Sequence, residues 1–157
     1  MSKKGKVLMA MSGGIDSTVA ALMLHKEGYE VVGITMKTWD YASSVGTSGK
    51  KETGCCNLDS FNDARQAAVH HGFPHFILDI REEFGDFVIE NFVEEYLAGR
   101  TPNPCVMCNT HIKWNSLLKK ADSLDCEFIA TGHYALIQEH HGRKFISKAT
   151  DRRKDQS

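Results

Sequence analysis

Apolar positions along the chain change period several times, and each change marks an element. Val7 to Met11 is a short continuous apolar run, the pattern of a parallel strand buried on both faces. Val19, Leu22 and Met23 then recur at helical spacing, and Gly28 stands where a C-terminal cap belongs. Glu30 to Thr38 reads as a second strand, so the chain opens with a β-α-β unit. A long stretch from Trp39 to Asn57, rich in Ser, Thr, Gly and Lys, has little periodicity and reads as a functional loop. A second helix is expected from about Leu58 to His71, stopped by Gly72 and Pro74, and His75 to Ile80 follows as a third strand. Phe84, Phe87, Val88, Phe92 and Tyr96 step by three and four, which predicts a helix packing an aromatic face into the core and ending at Gly99. Asn109 is expected to cap a helix through roughly Ala121, ahead of a strand over Glu127 to Ala130. Ala135 to Ile137 and Lys144 to Ile146 suggest a hairpin turning at His141-Gly142. The tail from Thr150 is charged and carries no closing element.

Strands alternating with helices predict an α/β fold with a doubly wound, mainly parallel sheet, whose ligands bind at the carboxyl ends of the strands. Four loops then share one edge: Ser12 to Ser17, the Met36 to Trp39 strand end, Arg100 to Cys108, and Thr131-Gly132-His133. At 157 residues and 41% hydrophobic content the chain is large enough for one compact domain. Residues 1–148 read as that domain, and residues 149–157 as a linker or the start of a further one.

Charge narrows the partners. Nineteen basic side chains against 20 acidic ones leave a net charge of -1, so no global footprint for nucleic acid exists and RNA must be held locally. No apolar run is long enough to span a bilayer, and the N-terminus lacks an apolar signal core, which points to the cytoplasm and away from a membrane. Five cysteines without a secretion signal argue for thiols as reagents or ligands.

The strongest chemical signal is Ser12-Gly13-Gly14-Ile15-Asp16-Ser17, placed between the first strand and the first helix. Paired glycines let backbone amides approach an anion, and the helix start adds unpaired N–H groups and the positive end of its dipole. The segment lacks both the Walker pattern and G-x-G-x-x-G. An ordinary turn of small residues is the plain alternative, and the full hexapeptide in this context outweighs it.

The second signal is Arg100 to Asn109. Pro102 and Pro104, two of the three prolines, fix the backbone just before Cys105 and Cys108, which reads as rigid presentation of a thiol. A helix beginning at Asn109 would place Cys108 near the positive dipole end, favouring its thiolate. Zinc held by Cys55, Cys56, Cys105 and Cys108 is an alternative, although adjacent cysteines chelate zinc awkwardly. Cys126 reads as inert core. His70-His71 and His140-His141 lack metal-site spacing, and only His133 joins the converging edge.

S-G-G-I-D-S, G-I-T-M-K-T-W, D-A-R, A-G-R-T-P-N-P-x-x-x-C-N, A-T-G-H-Y and the closing K-D-Q-S run in order from Lys6 to the end. Together they resemble the tRNA-specific 2-thiouridylase family, in an adenine nucleotide alpha hydrolase-like ATP pyrophosphatase fold. The first hexapeptide alone does not separate this family from GMP, argininosuccinate or tRNA-lysidine synthetases. The resemblance implies that ATP adenylates the C2 oxygen of the wobble uridine in tRNAs for Lys, Glu and Gln, after which sulfur displaces AMP.

Position by position, the resemblance implies ATP contacts from Ala10, Met11, Ser12, Gly13, Gly14, Ile15, Asp16 and Ser17, with magnesium near Asp16 and adenosine contacts at Met36 and Gly132. Asn103, Pro104 and Cys105 would meet the flipped-out target base. His133 and Lys154, Asp155 and Gln156 would touch tRNA. Cys108 corresponds to the first family cysteine, which works, by way of a disulfide, with a second, downstream cysteine that carries the persulfide and that this chain lacks. The expectation is therefore an N-terminal fragment that binds ATP and does not complete thiolation. The sulfur would come from a cysteine-desulfurase-derived donor or relay.

Cys105 stands where the family commonly has Asp, which weakens a proton-transfer role there. Persulfide chemistry and a [4Fe-4S] cluster on Cys105, Cys108 and a downstream cysteine both remain open. So do two other classes: a synthetase or amidotransferase acting on a small molecule, and a non-catalytic, zinc-stabilised nucleotide-binding module.

Overall fold

The computed structural model describes residues 4–38 and 58–156. The predicted loop from Trp39 to Asn57, with Cys55 and Cys56, lies outside the described residues. Four parallel strands form the central sheet in the order β3-β2-β1-β4: β1 Lys6–Ala10, β2 Glu30–Lys37, β3 His75–Asp79 and β4 Phe128–Ala130. Leu8 faces Val32 on one side and Ile129 on the other, so β1 is central, and it is apolar from Val7 to Ala10. Its Val7, Leu8 and Met9 are buried on both faces, as a continuous apolar run requires.

Helices cover both faces. Helices α1 (Ile15–Lys26) and α2 (Leu58–His71) pack Ala21, Ala64 and Ala68 against Val7, Met9, Met11 and Val31. The buried stripe of α1 begins with Ser17 and Ala21, while Val19 and Met23, expected on the core side, point to solvent. Small residues permit close approach to the sheet, so they win that face. On the opposite face, α4 sets Leu117 and Ala121 against Leu8, Val32 and Ile34. This helix runs without a break through Pro104–Met107, a π-helical stretch Cys108–Lys113, and Trp114–Ser123.

Helix α4 thus begins five residues before the expected Asn109. Asn103 is the cap: its Oδ1 accepts from the Val106 amide at 3.3 Å, and Pro104 takes the first helical position, where its missing N–H costs nothing. Helix α3, composed of Arg81–Phe84, a π-helical Gly85–Ile89 and Glu90–Leu97, also departs from expectation. Val88 is buried, but Phe87, Phe92, Val93, Tyr96 and Leu97 are exposed, with Phe92 and Tyr96 stacked at 6.2 Å. Helical periodicity reveals an apolar stripe and says nothing of what lies against it. The helix also carries Glu82, Glu83, Asp86, Glu90, Glu94 and Glu95.

The hairpin is β5 (Leu136–His140) with β6 (Arg143–Ser147), joined by His141 and Gly142 at φ 50° and 73°. Two successive positive φ angles are what a tight two-residue hairpin turn of right-handed strands demands.

Candidate phosphate-binding site

The order β3-β2-β1-β4 reverses direction between β1 and β4, which opens a crevice at the carboxyl ends of those two strands. Two of the four singled-out loops flank it directly. Ser12 to Ser17 follows β1, and Thr131 to Tyr134 follows β4.

The first loop is stitched by its own hydroxyls. The Ser17 hydroxyl donates to the Gly14 carbonyl at 3.1 Å and accepts from the Ser12 amide at 3.2 Å, while Ser12 Oγ accepts from the Gly14 amide at 3.4 Å. Gly13 sits at φ +79°, a region glycine enters freely. Helix α1 starts at Ile15 with Gly14 as its cap and no side chain covering its amides. Among the described residues, the N–H groups of Gly13, Ile15, Asp16 and Ser17 donate to no protein acceptor. Convergent unpaired amides at the positive end of a helix form an anion cradle.

Gly132 keeps that cradle open. A Cβ there would lie 2.7 Å from the Ser17 nitrogen and 2.8 Å from its Cα. Beside it, His133 binds Thr131 through Nδ1 and Oγ1 at 2.7 Å, fixing the turn.

Asp16, in the first turn of α1, carries the densest polar contacts of the site. Lys154 donates to both of its carboxylate oxygens, at 2.9 and 3.0 Å, and the Tyr134 hydroxyl donates at 2.8 Å. Those two hydrogen bonds, that of Lys154 first, hold the Asp16 carboxyl below its ordinary range. Asp16 in turn holds the Lys154 ammonium above its own. Neither Tyr134 nor the Lys154–Asp16 contact was among the residues the sequence marked for this loop. The only local signal was Tyr134 closing the A-T-G-H-Y run.

The cysteine loop reaches the same carboxyl edge from the opposite face of the sheet. Cys108 is 4% exposed and packs with Ile80, Val88, Ile112 and Met36, the last at the carboxyl end of β2. The early start of α4 reverses the expected roles of the two thiols. Cys105 occupies the first turn and is exposed, whereas Cys108 lies a turn deeper and buried. The edge of the cysteine loop is secured by Arg100, whose guanidinium grips Glu95 in a bidentate pair at 2.6 Å for each bond. Cys126 precedes β4 rather than lying in it, and burial pushes its thiol pKa up, consistent with an unreactive position.

No group of three or more His, Cys, Asp or Glu side chains suited to a metal occurs among the described residues. Cys105 and Cys108 by themselves therefore do not make an iron-sulfur or zinc site. No helix among the described residues is long and apolar enough to cross a membrane.

The model of the family described as the tRNA methyl transferase HUP domain matches residues 5–157. The chain belongs to that family. Its fold is correspondingly that of a HUP domain, a mainly parallel sheet between helices. The tRNA-specific 2-thiouridylase MnmA of Cytophaga hutchinsonii is 69% identical over 157 residues, covering 100% of this chain and 42% of the relative. The protein of the same name from Salinibacter ruber is 64% identical, covering 100% of this chain and 41% of the relative. The chain thus spans about two fifths of the length of the curated relatives it matches. A glutamine-dependent NAD+ synthetase from Acinetobacter baumannii, solved with ADP, shares the fold with a TM-score of 0.57 at 19% identity. That likeness covers 82% of this chain and 22% of the synthetase.

Proposed function

We propose that this chain is the ATP-binding, adenylating part of a tRNA-specific 2-thiouridylase, acting on the wobble uridine of tRNAs for Lys, Glu and Gln. The observation that carries the reading is the cradle at the β1–β4 crevice. Four unpaired amides and a helix dipole meet there beneath a glycine whose side chain would fill the space. Relatives at 64–69% identity over the whole chain bear that enzyme's name.

In this reading Ala10 to Ser17 take the triphosphate, and Met36 and Gly132 flank the adenosine end. Asn103, Pro104 and the exposed Cys105 face the extruded base, while His133, Lys154, Asp155 and Gln156 meet tRNA. The carbonyl oxygen at C2 is a poor leaving group until it bears AMP. The outer sulfur of a cysteine persulfide is then nucleophilic enough to displace AMP near neutral pH, and a second thiol takes the inner sulfur as a disulfide, leaving the outer sulfur on C2.

Magnesium fits the residues present. It is commonly held by one or two carboxylates together with substrate phosphates, and Asp16 supplies one carboxylate at the cradle, which the ion would have to share with Lys154 and Tyr134. Bound there, it would neutralise charge on the phosphate oxygens. In this account Cys108 is the thiol that works with a downstream, persulfide-bearing cysteine. It is buried within a π-helical stretch, a geometry common at functional sites, so the Cys108–Lys113 turn has to loosen before the thiol meets that partner.

The family's description as a methyl transferase suggests a second reading. A sulfonium methyl donor is cationic, and the positive end of α1 with its outward amides repels a cation. Sulfur transfer is the better match.

Deleting the gene for the full-length protein and digesting purified tRNA for nucleoside mass spectrometry separates the two. Loss of 2-thiouridine from tRNAs for Lys, Glu and Gln, restored by the intact gene, is the expected result. Retained 2-thiouridine with a missing methylated nucleoside would overturn the proposal.

A further inference from the structure

Lys154 lies 138 residues from Asp16 in sequence, yet its ammonium is held against the first turn of α1. The ion pair does not create this arrangement. Exposed ion pairs are screened by solvent and hold little by themselves, and here both partners are close to half exposed. The tail is folded back by backbone bonds instead. Tyr134 and Gln156 bracket each other, the Gln156 amide donating to the Tyr134 carbonyl at 2.9 Å and the Tyr134 amide donating to Gln156 Oε1 at 3.1 Å. Asp155 accepts from the Ala149 amide at 2.8 Å. Between those ties, Lys154 passes 4.8 Å from the centre of the Tyr134 ring, whose hydroxyl also reaches Asp16.

An ammonium has three donors. The oxygens of Asp16 take two and the Tyr134 hydroxyl is the third neighbour, so a phosphate oxygen arriving at the unpaired amides of the cradle would take over the Tyr134 contact. A carboxylate in the first turn of that helix would by itself repel a triphosphate, and the lysine cancels its charge. On the same turn Arg153 pairs with Asp151 at 3.4 Å, and Arg152 is exposed toward solvent, where an RNA phosphate could meet it.

We propose that Lys154 belongs to the nucleotide site, where its ammonium contacts the triphosphate held by the Ser12 to Ser17 turn and the pyrophosphate that leaves, and that Tyr134 is its positioning residue. The inference rests on the ATP-binding reading given above. When the carbonyl oxygen attacks the α-phosphorus, the bond from that phosphorus to the bridging oxygen breaks and its electron pair passes to pyrophosphate. Lys154 donates a hydrogen bond to this growing charge without giving up its proton. The lysine of the tail thereby ties the nucleotide seat to the arginine that would face RNA.

Calorimetric titration of ATP, pyrophosphate and AMP into the chain tests the assignment. Lys154→Met is expected to weaken ATP and pyrophosphate by roughly ten- to a hundredfold, the range for a lost charge-assisted hydrogen bond, with AMP changed by less than about twofold. Tyr134→Phe should produce a smaller loss in the same order of ligands, and Lys154→Arg should retain most of the affinity with an unchanged circular dichroism spectrum. Wild-type ATP affinity in Lys154→Met would overturn the proposal while leaving the ATP reading intact. So would full rescue of Lys154→Met by Asp16→Asn, since the lysine would then act only by shielding that carboxylate. A wild-type chain that binds neither ATP nor pyrophosphate would remove the ATP reading, and this inference with it.

Discussion

Replacing Gly132 by valine is expected to abolish ATP binding while the sheet remains folded. The Cβ alone would stand 2.7 Å from the Ser17 nitrogen, 2.8 Å from its Cα and 3.1 Å from the Asp16 carbonyl carbon. All three are backbone atoms at the start of a helix, so no rotamer change relieves the collision. The branched remainder of valine would add bulk beside the amides that the phosphates need. Each charge-assisted hydrogen bond contributes about 1.5–3 kcal/mol, so loss of even two predicts an affinity drop of roughly a hundredfold or more. Gly132 lies two residues beyond Ala130, the last residue of the sheet's edge strand β4, and the core clusters on the two faces do not include it. Titration of ATP alongside a thermal melt reads both halves. A variant that melts near the wild-type temperature and binds ATP normally would show that the phosphates lie elsewhere.

Gly13→Ala is expected to produce the largest stability loss of any single change in the loop. At φ +79° an L-residue incurs about 1–2 kcal/mol from its own backbone. The added methyl would also meet the Ser60 backbone of α2, with its carbonyl oxygen nearest and its Cα at 2.6 Å. Relief requires α2 to move, and α2 carries Ala64 and Ala68 of the main core cluster. Forced overpacking adds about 1–3 kcal/mol. The sum is roughly 3 kcal/mol, which for a chain of this size lowers the melting temperature by about 6–12 °C. An unchanged melt would mean that the loop is not wedged against α2 as described.

Much of this architecture was legible because it is local. Gly72 and Pro74 stop α2 where the strand must begin, and His141-Gly142 announces a turn with two positive φ angles. The continuous run Val7 to Met9 marks a strand buried on both faces. The start of α4 was also written locally, as Asn103 followed by Pro104, and the same dipeptide fits both a rigid loop and a capped helix. Choosing between them decides which thiol faces outward, because Cys105 and Cys108 are three residues apart on one helix. The aromatic stripe on α3 misled for a different reason, since periodicity fixes an apolar face without naming its neighbour. The contact of Lys154 with Asp16 was beyond local patterns altogether. It depends on a tail that turns back through Gln156 and Tyr134, and no periodicity encodes such a return.

The account depends on triphosphate resting on the amides that follow β1, and backbone NMR of the isotopically labelled chain during ATP titration reads those amides one by one. The amides of Gly13, Ile15, Asp16, Ser17 and Gly132 are expected to move most and to saturate together, with pyrophosphate reproducing the shifts at the loop and helix start. Saturable shifts confined to other parts of the chain, with these five amides unmoved, would contradict it.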